Sequence, residues 1–287
     1  MNKKLFVLLF AVVMGVAGYL KFSANDVKAQ ELKKNKISIA MRADPKTLDP
    51  QKSIDTMSNK SITLIYDTLL DLDENLNLKP NLAESWERLD DCNVVFHLKK
   101  GVKFHNGEEL KAEDVKFTLE RAKTLPKVAH LYSLIDNIEV VDDNTVKIHT
   151  SEPFAPLLAH LSHKTASIIS KKYFEEKGEE GFHNPVGTGP YKYKDWKVGD
   201  RITLEANDNY FGEKPSIKYV VIRAIPEENS SVIGLETGEI DMTADLNAES
   251  RRLVMDNPEL VYMEQSGISV NYVGLNTDKG ILKDKDV

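Results

Sequence analysis

The sequence predicts a mixed α/β protein, on three observations. Val94-Val95-Phe96-His97-Leu98 is an aliphatic and aromatic run of strand length, and from Leu110 the apolar residues switch to helical spacing, with Val115, Leu119 and Ala122 on one face. Between the two, Asn106-Gly107 is a dipeptide suited to left-handed backbone angles, so the unit reads strand, turn, helix. A composition of 41% hydrophobic and 29% charged residues is that of an ordinary globular chain, with enough apolar side chains to fill a core.

The chain opens with Met1-Asn2-Lys3-Lys4, continues with largely apolar residues from Leu5 to Leu20, and reaches small residues around Val27-Lys28-Ala29. A basic start, an apolar middle and a small-residue end describe a cleavable secretory signal over residues 1–29, with Gln30 as the new N-terminus. An uncleaved anchor is the alternative, but the apolar run falls short of the roughly 20 residues a spanning helix needs. Removing residues 1–29 leaves 34 basic against 44 acidic groups, net −10. No basic stripe survives, which argues against nucleic acid and anionic membrane surfaces as partners. Cys92 is the single cysteine, so no internal disulfide can form. Nothing near it marks an activated thiol, and a small, partly buried hydrophobe is expected.

Further along, Ile37 to Met41 alternates as a strand, and Asp44-Pro45-Lys46-Thr47-Leu48-Asp49-Pro50 must be an irregular loop. A helix is expected from Ser58, as its N-cap, to about Leu72, with Ile62, Ile65 and Leu69 buried. Leu82 to Trp86 reads as an amphipathic lead into the 94–98 strand. Ile138 to Val141 and Thr145 to His149 flank Asp142-Asp143-Asn144 as a hairpin. Pro153-Phe154-Ala155-Pro156 opens a helix carrying Leu157, Leu158 and Leu161. In Asn184-Pro185-Val186-Gly187-Thr188-Gly189-Pro190-Tyr191 two glycines allow a close backbone approach. A phosphate-cradling loop is disfavoured there, because the glycine-lysine ending is missing and Pro190 blocks a following helix. A hairpin over 191–206, a buried strand over 217–225, helices near 230–238 and 249–255, and a strand over 268–275 complete the order.

Residues 82–117 contain LAESW (82–86), VVFHL (94–98), KGVKFHNGEEL (100–110) and AEDVKF (112–117) in that order. Together with PVGTGPY (185–191), NDNYFG (207–212) and GEID (238–241), this wording closely resembles the family 5 extracellular solute-binding proteins. These are the peptide-, nickel- and glutathione-binding receptors of bacterial ABC importers. The resemblance covers nearly all of residues 37–287. It implies a periplasmic-binding-protein-like fold of type II with an extra inserted subdomain. Lobe I would comprise 30–57 and 183–262, the inserted subdomain 58–182, and 263–287 the start of a truncated second lobe. Family members are about twice this long, so an N-terminal fragment or interrupted reading frame is expected, with a one-lobe descendant as the alternative. Lipoprotein members carry a cysteine just after the signal; none stands there in this chain.

By the same resemblance the function is capture of di- and oligopeptides in a cleft between lobes, delivery to the permease subunits of an ABC transporter, an extracytoplasmic location and a monomeric state. The residue holding the ligand ammonium would lie beyond Val287. Asp44, Pro45 and Thr47 in the first loop, Asn59, Lys164 and Ser167 on the cleft wall, and Tyr272 at the crossing between lobes are the expected ligand contacts. A nickel or metal-chelate receptor is the alternative within the fold. His160 and His163, three apart at a helix end, would be its ligands, although no third ligand follows at metal-site spacing. His97, His105 and His149 read as strand or turn residues. A peptide-binding chaperone or sensor without a transporter is the alternative from another class. No cofactor and no catalysis are expected: Asp90-Asp91 and Asp142-Asp143 sit in turns, Ser162-His163 has no positioned acid, and G-x-S-x-G and H-E-x-x-H are absent.

Overall fold

The computed structural model describes residues 35–73, 75–244, 246–264, 278 and 280–284. In chain order the strands are β1 (Lys36–Met41), β2 (Leu70–Leu72), β3 (Leu78–Pro80), β4 (Ala83–Arg88), β5 (Asn93–Leu98), β6 (Ile135–Asp142), β7 (Thr145–Thr150), β8 (Tyr191–Lys197), β9 (Arg201–Ala206), β10 (Tyr219–Ala224) and β11 (Met242–Thr243). The helices are α1 (Thr56–Ile65), α2 (Ala112–Thr124), α3 (Ala129–Tyr132), α4 (Leu157–Ser162), α5 (Lys171–Lys177), α6 (Glu228–Glu236) and α7 (Ala248–Asp256). Contacts divide the chain into two units, Met1–Leu246 and Asn247–Val287.

Two larger sheets and a two-stranded ribbon are found among the described residues of the first unit. One has the order β11-β1-β10-β9-β8, with β1 parallel to both β10 and β11 and the β10-β9-β8 run antiparallel. One of its strands, β1, comes from the N-terminal side and the other four from residues 191–243, so residues 42–190 form an excursion between β1 and the next strand of this sheet along the chain, β8. That excursion carries an antiparallel sheet of order β4-β5-β7-β6 and the small ribbon β2-β3. Alternation on β5 and β7 sends Val94, Phe96, Val146 and Ile148 inward, where they meet Val115, Leu119 and Ala122 of α2. Helix α2 begins where the Asp114 carboxylate reaches back to accept from the Lys111 N–H (2.9 Å), satisfying a donor the helix itself leaves free.

A second core lies on the five-stranded sheet, with Ile62, Ile65 and Tyr66 packed against Ile202, Leu204, Val220 and Ile222. Here the structure corrects the expected 58–72 helix. Helix α1 starts two residues earlier and is capped by Asp55, whose carboxylate accepts from Ser58 N at 2.9 Å; it ends at Ile65. Tyr66 is extended (φ −125°, ψ 154°), and Leu69 and Leu70 turn into the other core. The apolar stripe that read as one helix serves two cores, and the chain crosses between them at Tyr66–Thr68. Residues Ala83–Arg88 form a full strand, and α4 starts at Leu157, with Pro156 before its first turn. Gly107 (φ 90°) takes the left-handed angles expected of the Asn-Gly turn. The expected strand over 268–275 lies outside the described residues. In the second unit, Asn247 caps α7 by accepting from Glu249 N and Ser250 N (2.9 Å each), and Arg251 pairs with Glu264 at 2.7 Å.

Candidate functional site

The carboxyl ends of the parallel strands β1 and β10 meet the loop over residues 42–55, the edge at which open α/β sheets place ligands. That loop is tied down from three sides. Asp44 accepts from Gly199 N (2.6 Å) and Trp196 Nε1 (3.3 Å), so its carboxylate is held by the β8-β9 hairpin. Ser58 Oγ accepts from Lys46 N at 2.9 Å. The third tie is buried: Arg121 of α2 donates to both Asp49 oxygens (2.6 and 3.2 Å), to Gln51 Oε1 (2.6 Å) and to Glu179 (3.0 and 3.2 Å). Its guanidinium lies 5.0 Å from the ring centroids of both Phe174 and Phe182. A planar, permanently charged fork suits this setting; a lysine could not serve three partners in one plane. Beside the loop opens a cleft of about 580 Å³ whose walls include Pro45 and Thr47.

The Gly187-Thr188-Gly189 loop has a different use. A Cβ on Gly189 would sit 2.6 Å from the Ile65 carbonyl carbon, and one on Gly187 would collide with the same carbonyl. What the loop approaches is its own chain, at the end of α1, where Gly189 N donates to Ile65 O at 2.9 Å. Thr188 Oγ1 donates to the buried Asp67 carboxylate (2.9 Å), which also accepts from Tyr210 OH (3.2 Å) and Asn81 (3.5 Å); burial nevertheless raises its pKa. His105 closes the loop from the other side. Its backbone N–H donates to Gly187 O (2.8 Å), its Nδ1 accepts from Gly187 N (3.3 Å), and its Nε2 donates to Gly189 O (2.9 Å). The bond accepted by Nδ1 needs the neutral ring, and burial holds its pKa down to about 4, against the opposing pull of the Gly189 hydrogen bond.

The other sequence candidates are dispersed. Asn59 lies on α1 and Ser167 follows a short 3-10 turn; the side-chain oxygens Asn59 Oδ1 and Ser167 Oγ are buried without a hydrogen-bond partner among the described residues. Lys164 reaches Asp71 at 3.8 Å. His160 Nδ1 contacts Leu131 O (2.7 Å), and His163 Nδ1 accepts from Thr165 Oγ1 (2.8 Å) and Thr165 N (3.3 Å), so each ring spends one nitrogen within the fold. Among the described residues no group of three or more metal-ligating side chains converges. Tyr272 lies outside the described residues. Nothing local in the sequence marks Arg121, Gln51, Asp67 and His105 as site-building residues, because each has a partner 67 or more positions away, beyond any periodicity.

The family model for bacterial extracellular solute-binding proteins, family 5 (middle), matches residues 77–287. The chain belongs to that family. Among the relatives of this family 5 solute-binding protein, the glutathione-binding protein GsiB of Salmonella typhimurium is 31% identical over 246 residues, covering 84% of this chain and 48% of GsiB. Among solved structures, the periplasmic binding protein DppA of Helicobacter pylori in complex with the peptide STSA superposes with a TM-score of 0.71 at 31% identity, covering 80% of this chain and 51% of DppA. NikZ of Campylobacter jejuni in complex with Ni(L-His) gives a TM-score of 0.66 at 29% identity, over 72% and 42% of the two chains. The fold is therefore that of the type II periplasmic binding proteins, and the chain spans about half the length of the relatives it matches. No described helix of this solute-binding protein is long and apolar enough to cross a membrane.

Proposed function

We propose that this chain is part of the substrate-binding component of an ABC importer, which captures short peptides between two lobes and hands them to the permease. The observation that carries the reading is the likeness to peptide-bound DppA over four-fifths of the chain. In this reading residues 1–29 export the protein, 30–57 with 183–262 form lobe I, 58–182 the inserted subdomain, and 263–287 begin the second lobe. Asp44, Pro45 and Thr47 edge the cleft. The Arg121 network supports the reading by fixing that edge before any ligand arrives, since a pre-ordered loop loses less entropy on binding. Asn59 and Ser167 offer buried acceptors that a ligand or its water can complete, and Lys164 and Tyr272 complete the contact set. The working unit is a monomer.

The nickel-chelate reading draws on NikZ and on the Nε2 atoms of His160 and His163, which make no hydrogen bond among the described residues. Native mass spectrometry of the protein exported from a bacterial host separates the two. A retained species of peptide mass, and calorimetric binding of di- to tetrapeptides unchanged by H160A and H163A, is the expected result. A retained nickel ion alone, lost in those variants, would overturn the peptide reading.

A further inference from the structure

The cleft beside the first loop is enclosed by Pro45, Phe182, Tyr193 and Trp196 on its apolar walls, with Lys46 and Lys52 among its charged residues. Its volume of about 580 Å³ is in the range of small-ligand sites. The carboxylates that line it are largely spent. Asp49 is held by both nitrogens of Arg121 and by Gln51 N (2.9 Å), and Glu179 is shared between Arg121 and Lys52, whose Nζ lies 2.5 Å away. Glu180 stands at the solvent rim beside His183, 3.5 Å from it. Lys46 is different: among the described residues its ammonium has no ion pair or hydrogen bond. Asp55, the carboxylate within its electrostatic range, is occupied by the α1 cap and by Ser53 and Ser58. The balance inside the cleft is thus acceptors consumed and a cationic donor left over. The indole wall is fixed in advance, because Trp196 Nε1 donates to Asp44.

We propose that this cleft is a subsite for a carboxylate borne next to an aromatic or other planar apolar group. Lys46 pairs with the carboxylate, and Trp196 with Tyr193 packs the apolar part. The inference rests on the solute-binding reading, in which a peptide's free C-terminus or an acidic side chain supplies that group. A carboxylate here meets an exposed lysine with no protein partner among the described residues to displace, whereas an incoming cation would compete with Arg121 and Lys52 for carboxylates already bonded.

The experiment uses the full chain in a Trp86→Phe background, so that Trp196 is the sole indole. The probes are N-acetylphenylalanine and its uncharged amide, titrated against Trp196 fluorescence. The acid is expected to shift Trp196 emission and to bind at least about threefold more tightly than the amide, the scale of an exposed ion pair. K46M should erase that difference and K46R should keep it. Equal binding of acid and amide, acid binding indifferent to K46M, or no response of Trp196 up to about 10 mM probe, where even a weak millimolar site fills, would overturn the proposal. The probes have no free ammonium and are scored independently of peptide capture. A chain that binds tetrapeptides but ignores the acid probe loses the subsite and keeps the function. One that binds the acid through Lys46 but no peptide keeps the subsite and loses the peptide reading.

Discussion

His105 makes a sharp test of how this fold is held together. Its ring uses one nitrogen as acceptor and the other as donor against the Gly187–Gly189 loop, so a proton on Nδ1 would break one bond and bury a charge. Burial places its folded pKa at about 4, against 6.5 for an unperturbed histidine. Because the folded value lies below the unfolded one, the unfolded chain takes up a proton that the folded chain refuses. The stabilisation is complete above pH 6.5 and is lost progressively as pH falls from there toward 4. Integrated between pH 7 and pH 5, the loss is about 2 kcal/mol. The assay is urea unfolding followed by tryptophan fluorescence at pH 7, 6 and 5, for the parent and His105→Gln. The glutamine variant should be less stable at pH 7, by about 1 kcal/mol for an imperfectly replaced hydrogen bond, and should show a fall between pH 7 and 5 smaller by about 2 kcal/mol. Other groups titrating in that window, His163 among them, cancel in the difference. Parallel pH curves, or a His105 ring resonance titrating near 6.5, would refute the argument.

Three further substitutions probe the rest of the framework. Gly189→Ala places a methyl 2.6 Å from backbone that closes α1, and should destabilise by about 1–3 kcal/mol, read as a lowered urea midpoint. Arg121→Met keeps an unbranched aliphatic stem but removes the guanidinium and leaves the buried Asp49 without its charge partner, at a cost of about 3–5 kcal/mol. The double variant with Asp49→Asn should recover part of that loss, and no recovery would mean the charge pair is not the cause. Asp67→Asn should cost less than Asp67→Leu by about 1 kcal/mol or more, because asparagine still accepts from Tyr210 or Thr188; equal losses would say that those hydrogen bonds contribute nothing. As burial raises the Asp67 pKa, its folded form binds a proton that the unfolded chain has released. This group alone therefore loses stability as pH rises from 3.8 toward its folded value, and Asp67→Asn should remove that component from the pH profile.

Much of the framework was legible along the chain, because period-two and period-3.6 spacing are local properties. The 94–98 strand, the 138–149 hairpin, the Asn-Gly turn and the α2 stripe all stand where their side-chain spacing puts them. The 58–72 helix failed for a reason spacing cannot express: Ile62 and Leu69 are both buried, but in different cores, and backbone from residues 187–189 occupies the space at the end of α1. Loop 44–50 was readable as a loop from its prolines and aspartates. That Asp44 would be bound by Trp196 and Gly199, and Asp49 by Arg121, was not.

The sequence by itself determined the α/β order of elements, the acidic balance and, through its motif wording, membership of the solute-binding family. The tertiary structure alone decided which lysine beside the cleft has no partner among the described residues, which histidine is held neutral by burial, and which carboxylates are already spent. Those properties depend on burial and on partners brought from 58 to 152 positions away, whereas local patterning constrains only residues a few positions apart.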